Sequence, residues 1–107
     1  MAYNKDLANR ISGLLTEPLE EKKMFGGVGY LLNGNMAIGV HKDSLIVRVG
    51  PEAYAEALSR PHARIFDITG REMKGWVMVA PEGCRDDGSL AGWVQMGLSF
   101  ARTLPRK

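Results

Sequence analysis

The strongest constraint in the sequence is the pair Asn33-Gly34, which separates two apolar runs. Asn and Gly accept the positive φ angles that both central positions of a type I′ turn require, and this turn joins adjacent antiparallel strands. The pair therefore predicts a β-hairpin with strands over residues 28–32 and 35–40. The two-residue turn also fixes the pairing across the hairpin: Leu32 with Asn35, Leu31 with Met36, and Gly29 with Ile38.

A third strand is predicted over residues 45–49, with Val40 opposite Leu45, and alternation sorts the side chains of the three strands onto two faces. One face is apolar throughout and is predicted to be core: Leu31, Met36, Ile38, Val40, Leu45, Val47 and Val49. The other face carries a single charge: Val28, Tyr30, Leu32, Ala37, Gly39, Ile46 and Arg48. Because an open face of an antiparallel sheet is normally polar, we expect a second layer over it, supplied by the same chain, a ligand or a second subunit.

Three helices and a second hairpin complete the predicted elements. Asn4 suits the N-cap of a first helix that ends at Pro18, and Pro51 suits the start of a short second helix. A strand with Ile65, Phe66 and Ile68 and a strand over residues 76–79 follow, and Asp86, Asp87 or Ser89 caps the last helix. The order helix, three strands, helix, two strands, helix predicts one two-layer α+β domain over residues 1–107, with an antiparallel five-stranded sheet.

The last helix lacks charges over an unusual length. Between Gly88 and Ala101 no residue is charged, and Met96 and Phe100 share the side opposite the predicted core face. A surface helix normally carries charges on that side, so this helix is expected to be covered on two sides, as a dimer contact would do.

The order of motifs resembles a known family. The motif residues are Met24-Phe25-Gly26-Gly27-Val28-Gly29 before the first strand, the Asn-Gly turn, Met36-Ala37, Gly70-Arg71-Glu72-Met73-Lys74-Gly75-Trp76, and the final helix from Leu90 to Ala101. Over nearly the whole chain this order resembles the TfoX/Sxy N-terminal domain family. At Gly26, Gly27 and Gly29 the missing Cβ allows a bulge or a close backbone approach.

The resemblance carries expectations about fold and function. It implies the fold of small secretion chaperones, with the five predicted strands in the sheet order 5-4-1-2-3. Full-length TfoX/Sxy proteins regulate natural competence together with the cyclic-AMP receptor protein, and they join this domain to a C-terminal helical domain. The present sequence ends before such a segment, so a stand-alone domain is expected. The family supplies no catalytic residues to assign to this chain.

The residues themselves predict no catalytic, cofactor or metal site. Cys84 is the only cysteine and the two histidines stand apart, so neither a disulfide nor a zinc pattern is present. The glycine motif lacks the Lys-Ser/Thr ending of a phosphate loop and leads into a hairpin. No long apolar run predicts a membrane span, and a cytoplasmic protein is expected.

A net charge of +2 is small for a nucleic-acid binder. Weak DNA contact through phosphates is still an alternative, because basic residues cluster around the second hairpin and at the end of the chain: Arg60, His62, Arg64, Arg71, Lys74, Arg102, Arg106 and Lys107.

The predicted function is a non-enzymatic regulatory or protein-interaction domain that works as a homodimer or as a dock for a transcription regulator. Its predicted contact residues come from the apolar second sheet face, with Arg48 at its rim, and from the uncharged side of the last helix: Tyr30, Ile46, Arg48, Met96 and Phe100. The competing class is an enzyme or small-ligand binder with a pocket near the glycine-rich hairpin, using Tyr30, Arg48 or His41.

Overall fold

A computed structural model describes residues 4–15, 19–24, 27–67, 70 and 73–106. The strands are β1 (Glu20–Met24), β2 (Gly27–Leu32), β3 (Asn35–His41), β4 (Ser44–Arg48), β5 (Ala63–Ile65) and β6 (Trp76–Val79). The helices are α1 (Lys5–Leu14), α2 (Tyr54–Leu58) and α3 (Asp87–Arg102), and a short 3₁₀ helix covers Pro81–Cys84. Helices α1 and α3 pack on the same side of one antiparallel sheet, so the predicted α+β class is confirmed. Seven residues named above lie outside the described residues: Pro18, Phe25, Gly26, Ile68, Arg71, Glu72 and Lys107.

Side-chain caps begin the two longer helices, as the sequence predicts. The Leu7 amide donates to Asn4 Oδ1 at 3.1 Å, and the Ser89 amide donates to Asp86 Oδ2 at 2.9 Å. Each bond satisfies one of the backbone amides that a helix start leaves without an intrahelical partner.

Among the described residues, no helix combines the length and the apolar character needed to cross a bilayer.

The turn between β2 and β3 has the predicted geometry. Asn33 has φ +54° and Gly34 has φ +85°, the positive values that a type I′ turn requires. Three of the predicted pairs are present: Leu32 with Asn35, Leu31 with Met36, and Val40 with Leu45. Gly27 also behaves as predicted, because a Cβ there would overlap the Val40 carbonyl oxygen.

The fourth predicted pair is wrong, because a bulge shifts the register beyond Leu31. Gly29 pairs with Gly39 in place of Ile38, and Tyr30 pairs with Ile38. One extra residue on a strand turns every later side chain to the opposite face relative to its partner strand. The predicted division of the two faces is therefore wrong for the first hairpin. Val28, Tyr30 and Leu32 belong to the main core, and Met36 packs on the other side of the sheet.

The sheet has six strands where five were predicted, in the order β1-β2-β3-β4-β6-β5. The additional strand is β1, which pairs with β2 and carries four charged residues before Met24. Charges suit the edge of a sheet, where they discourage pairing with other chains. The expected order 5-4-1-2-3 is also wrong: β1 occupies the outer side of β2, and the second hairpin pairs through β6 with β4.

Helix α3 lies directly on the central strands. Six of the seven residues that the apolar spacing predicts for its core face are buried: Leu90, Trp93, Val94, Gly97, Leu98 and Ala101. The seventh, Leu104, lies beyond the end of the helix and is half-buried. A Cβ at Gly97 would lie 2.6 Å from the Ala37 carbonyl oxygen and 3.0 Å from the Ile38 side chain. Because glycine has no Cβ, the helix axis comes closer to β3 than another residue would allow.

The other side of the sheet has its own apolar cluster, which consists of Ile46, Phe66 and Met78. The half-buried side chains of Met36, Met73 and Trp76 pack against it. Phe66 and Met73 come from the connection between β5 and β6, so this part of the second face is covered by the same chain. Of the three covers that the sequence left open, the intrachain one is present here.

Candidate protein-interaction groove

A groove of about 660 Å³ runs along the outer side of α3. Its second wall is the segment 49–53, which connects β4 to α2. Its lining is mainly apolar and small: Val49, Gly50, Pro51, Glu52, Ala53, Arg60, Gly92, Gln95, Met96, Ser99 and Phe100. Two of the predicted contact residues, Met96 and Phe100, therefore lie in one groove.

The wall opposite α3 is set by a glycine turn after β4. Gly50 has φ +86°, and a Cβ there would lie 2.5 Å from the ring of Phe100. The amides of Val49 and Gly50 both donate to the Gly75 carbonyl oxygen, at 2.8 and 3.0 Å. These bonds hold the segment in place. Because Gly50 has no side chain, the Phe100 ring can pack directly against the backbone there.

Helix periodicity aligns the groove side of α3. Gly92, Met96 and Phe100 are four residues apart, and Gln95 and Ser99 fall beside them on the same face. Met96 and Phe100 are half-buried, and nothing lies within 4 Å of an ideal Cβ at Gly92. The result is an open depression at Gly92, next to two apolar side chains that water reaches only in part.

Two guanidinium groups lie over aromatic rings near opposite ends of the groove: Arg60 is part of its lining, and Arg48 lies beside the lining residue Phe100. The Cζ of Arg48 lies 5.2 Å from the Trp76 ring centroid and 5.5 Å from that of Phe100. At the other end, the Cζ of Arg60 lies 5.2 Å from the Trp93 centroid. Cations over ring faces are attracted by the negative face of the π system, and Arg is the usual partner. Arg48, predicted as a contact residue at the rim, is half-buried there.

The remaining two predicted contact residues do not reach this groove. Tyr30 is 2% exposed in the main core, and its hydroxyl donates to the Ala8 carbonyl oxygen at 3.1 Å. Ile46 is 2% exposed and lies beneath Phe66 and Met78. The prediction that both lie on an open surface is wrong, because the bulge turns Tyr30 inward and the β5–β6 connection covers Ile46.

The sequence also missed part of the groove. Gly50 and Gly92 carry no functional group, and only their lack of a side chain shapes the site. Arg60 was considered only as a possible phosphate contact, although it caps the Trp93 ring. The charge-free run on α3 was the one signal in the sequence that pointed to this surface.

The polar groups that the enzyme alternative needs do not converge. His41 pairs with Ser44 at one end of β4, and Arg48 is at the other end, four residues or roughly 13 Å away. Tyr30 faces the core. Burial raises the pKa of the Cys84 thiol to about 11, against an opposing effect of Arg10. Within the described residues, no three His, Cys, Asp or Glu side chains are grouped closely enough to hold a metal ion.

Two basic residues of the DNA alternative, Arg60 and His62, lie near one end of α3, and a third, Arg106, lies near the other. Arg60 and His62 border a cleft with Ser89 near the start of the helix. At the other end, the Arg106 guanidinium donates to Asn33 Oδ1 at 3.2 Å, and Asn35 Nδ2 donates to the Pro105 carbonyl oxygen at 2.9 Å. Because α3 has 16 residues, the two sets are separated by about 24 Å of helix.

Comparison with known proteins identifies one family. The TfoX N-terminal domain matches residues 11–101, which is most of the chain. No curated protein and no solved structure matched the chain in the corresponding searches. The matched range contains the whole sheet and nearly all of α3, including every groove residue described above. On this match, the chain belongs to the TfoX N-terminal domain family.

Proposed function

We propose that this domain is a non-enzymatic protein-interaction module of cytoplasmic transcription regulation, and that the groove along α3 binds a segment of a regulator protein. The observation that carries the proposal is the uncharged outer side of α3, where Met96 and Phe100 are only half-buried beside an open depression at Gly92. Contiguous apolar surface of this kind is typical of protein-binding sites.

The apolar groups in the groove can supply affinity. Full burial of a Phe or Met side chain is worth about 1.5–3 kcal/mol, and covering the remaining exposed part of Met96 and Phe100 contributes a fraction of this each. A ligand segment that places its own apolar side chain over Gly92 gains further contact. Non-enzymatic action is supported by the separation of Tyr30, His41 and Arg48.

The experiment is a selection from a displayed library of random peptides on the immobilised domain. We expect peptides whose binding is lost when Phe100→Asp places a charge in the groove. The matched control is Ile65→Asp, which makes the same kind of change at an exposed apolar residue of β5. Circular dichroism and thermal unfolding check that both variants are folded. Selected peptides that bind the Phe100→Asp variant as well as the unchanged domain would overturn the proposal.

A second copy of the domain is the other candidate occupant, and one observation favours it. Gly92 and Phe100 are equally spaced on either side of Met96, so two α3 helices related by a two-fold axis at Met96 would each place Phe100 over the partner's depression. In the same arrangement, Arg48 of one copy lies near Arg60 of the other. Because these like charges repel each other, a different protein is favoured as the occupant.

Solution mass decides between the two occupants. We expect light scattering to show a monomer at micromolar concentration, with no change of mass in the Phe100→Asp variant. A dimer that dissociates in Phe100→Asp but persists in Ile65→Asp would establish the homodimer in its place.

A further inference from the structure

The geometry points to an acidic amphipathic helix as the segment that occupies the α3 groove, with one carboxylate at Arg48, one at Arg60 and apolar side chains between them. This inference rests on the proposed function and adds the chemistry of the partner. The observation that supports it is the positive charge of Arg48 and Arg60 near the two ends of the groove, which a purely apolar partner would leave without a counter-charge.

Arg48 is arranged to receive an anion. The residue is half-buried, its guanidinium lies near the rings of Trp76 and Phe100, and within the described part of the chain it contacts no carboxylate. Contact with two rings restricts the side chain before any ligand arrives, so less conformational entropy is lost on binding. The N–H groups of a guanidinium lie in its plane, and they match the two oxygens of a carboxylate.

Arg60 provides the second positive end. It lies over the Trp93 ring, and its ion pair with Glu56 is long, at 3.9 Å, with 40% of the Arg60 side chain and 67% of the Glu56 side chain exposed. An exposed pair of this length is weak and exchanges readily with a competing carboxylate. Glu52 is the one acidic residue in the groove lining, and it lies on the wall opposite α3.

The positions of Arg48 and Arg60 along α3 determine how far apart the acidic residues of a partner helix must be. The rings that support these arginines, Trp93 and Phe100, are seven residues apart on α3, which is two helical turns or about 10.5 Å. A helix laid along α3 reaches both ends with Glu or Asp at i and i+7, and its residues i+3 and i+4 then face Met96 from the same side.

The test uses three synthetic helical peptides of about fifteen residues with Leu at i+3 and i+4. They carry Glu, Gln or Lys at both i and i+7. Fluorescence anisotropy at low salt measures their affinity for the unchanged domain and for the Arg48→Glu/Arg60→Glu variant. We expect the Glu peptide to bind the unchanged domain at least about tenfold more tightly than the Lys peptide, and the variant to reverse this preference.

The matched control is Lys22→Glu/Lys23→Glu, which changes the net charge equally on the exposed edge strand β1. This control should keep the preference for the Glu peptide. Equal affinity for the three peptides, no binding of any of them, or a preference that the Arg48→Glu/Arg60→Glu variant retains would overturn the inference. The proposed function would survive that result if the library still yields peptides that depend on Phe100, and would fall with it if none does.

Discussion

The thiol of Cys84 lies in the core at the end of the 3₁₀ helix and is 1% exposed. The thiolate is the reactive form of cysteine, and an apolar environment disfavours it. Burial therefore keeps this group protonated and removes it from the set of candidate nucleophiles, although Arg85 follows it directly in the chain.

The raised pKa of Cys84 predicts a loss of stability in alkali. The pKa is about 11 in the folded state against an ordinary value of 9.0, so the unfolded chain releases this proton first. The contribution to folding is complete below about pH 9 and is lost as the pH rises from there through about pH 11. Urea unfolding of wild type and Cys84→Ala at several pH values isolates this effect. We expect the stability difference between them to shrink above about pH 9, and parallel profiles would contradict the assignment.

The position of Tyr30 could not be predicted from the alternation of residues along its strand. The side chains of β2 alternate between the two faces as expected. Which set faces the core depends on a bulge, and no residue type in the sequence indicates that bulge. Strict alternation from Asn33-Gly34 places Tyr30 outside, whereas the added residue on β3 places it inside with its hydroxyl bonded to Ala8. Only the pairings next to the turn were predictable, because Leu31 with Met36 and Leu32 with Asn35 lie between the turn and the irregularity.

At the scale of elements, α3 is held by close packing on one side and left open on the other. Gly97 faces the sheet, where a Cβ would meet the Ala37 carbonyl oxygen at 2.6 Å, and Gly92 faces the groove with open space around it. The same residue type therefore has opposite roles one and a half turns apart.

Replacing each of these glycines with alanine gives a matched pair. We expect Gly97→Ala to lower the free energy of unfolding by about 1–3 kcal/mol, because helix and strand must separate. Gly92→Ala should raise it by about 0.5–1 kcal/mol, because alanine favours the helix and meets nothing. Urea midpoints measure both effects. Equal effects in the two variants would mean that α3 is not closely packed on β3.

The elements themselves were largely predictable, and their arrangement was less so. Asn4, Asp86 and the Asn33-Gly34 turn act through neighbouring backbone groups, so their sequence context was sufficient. The place of the second hairpin beside β4 depends on which edge remains open once β1 has paired with β2. The charged segment of β1 did not indicate a strand, because edge strands and exposed loops share that composition.

At the scale of the whole molecule, the chain itself covers one face of the sheet and part of the other. The main core lies beneath α1 and α3, and the smaller cluster of Ile46, Phe66 and Met78 lies on the opposite face. The groove along α3 is therefore separate from the apolar sheet face that first suggested a partner.

Phe66 tests this second layer. Phe66→Ala should lower the free energy of unfolding by about 3 kcal/mol, because the ring is 3% exposed and its removal leaves a cavity over Ile46. The adjacent control is Ile65→Ala, whose side chain is 37% exposed and whose loss should cost less than about 1 kcal/mol. Thermal or urea unfolding of the two variants measures the difference. A mild effect of Phe66→Ala would show that the ring does not seal this face.

The Arg106 guanidinium donates to Asn33 and the Asn35 side chain donates to the Pro105 carbonyl oxygen, so the segment after α3 lies against the first hairpin. A fluorophore or purification handle grafted after position 106 would emerge next to the first hairpin, beyond the C-terminal end of α3. The Arg60 end of the groove would stay clear of such an attachment, whereas a bulky fusion would shield the Phe100 end. The Asn4 amide donates to the Lys42 carbonyl oxygen, near the end of β4 opposite Arg48, so an attachment ahead of Asn4 is the safer geometry for surface immobilisation.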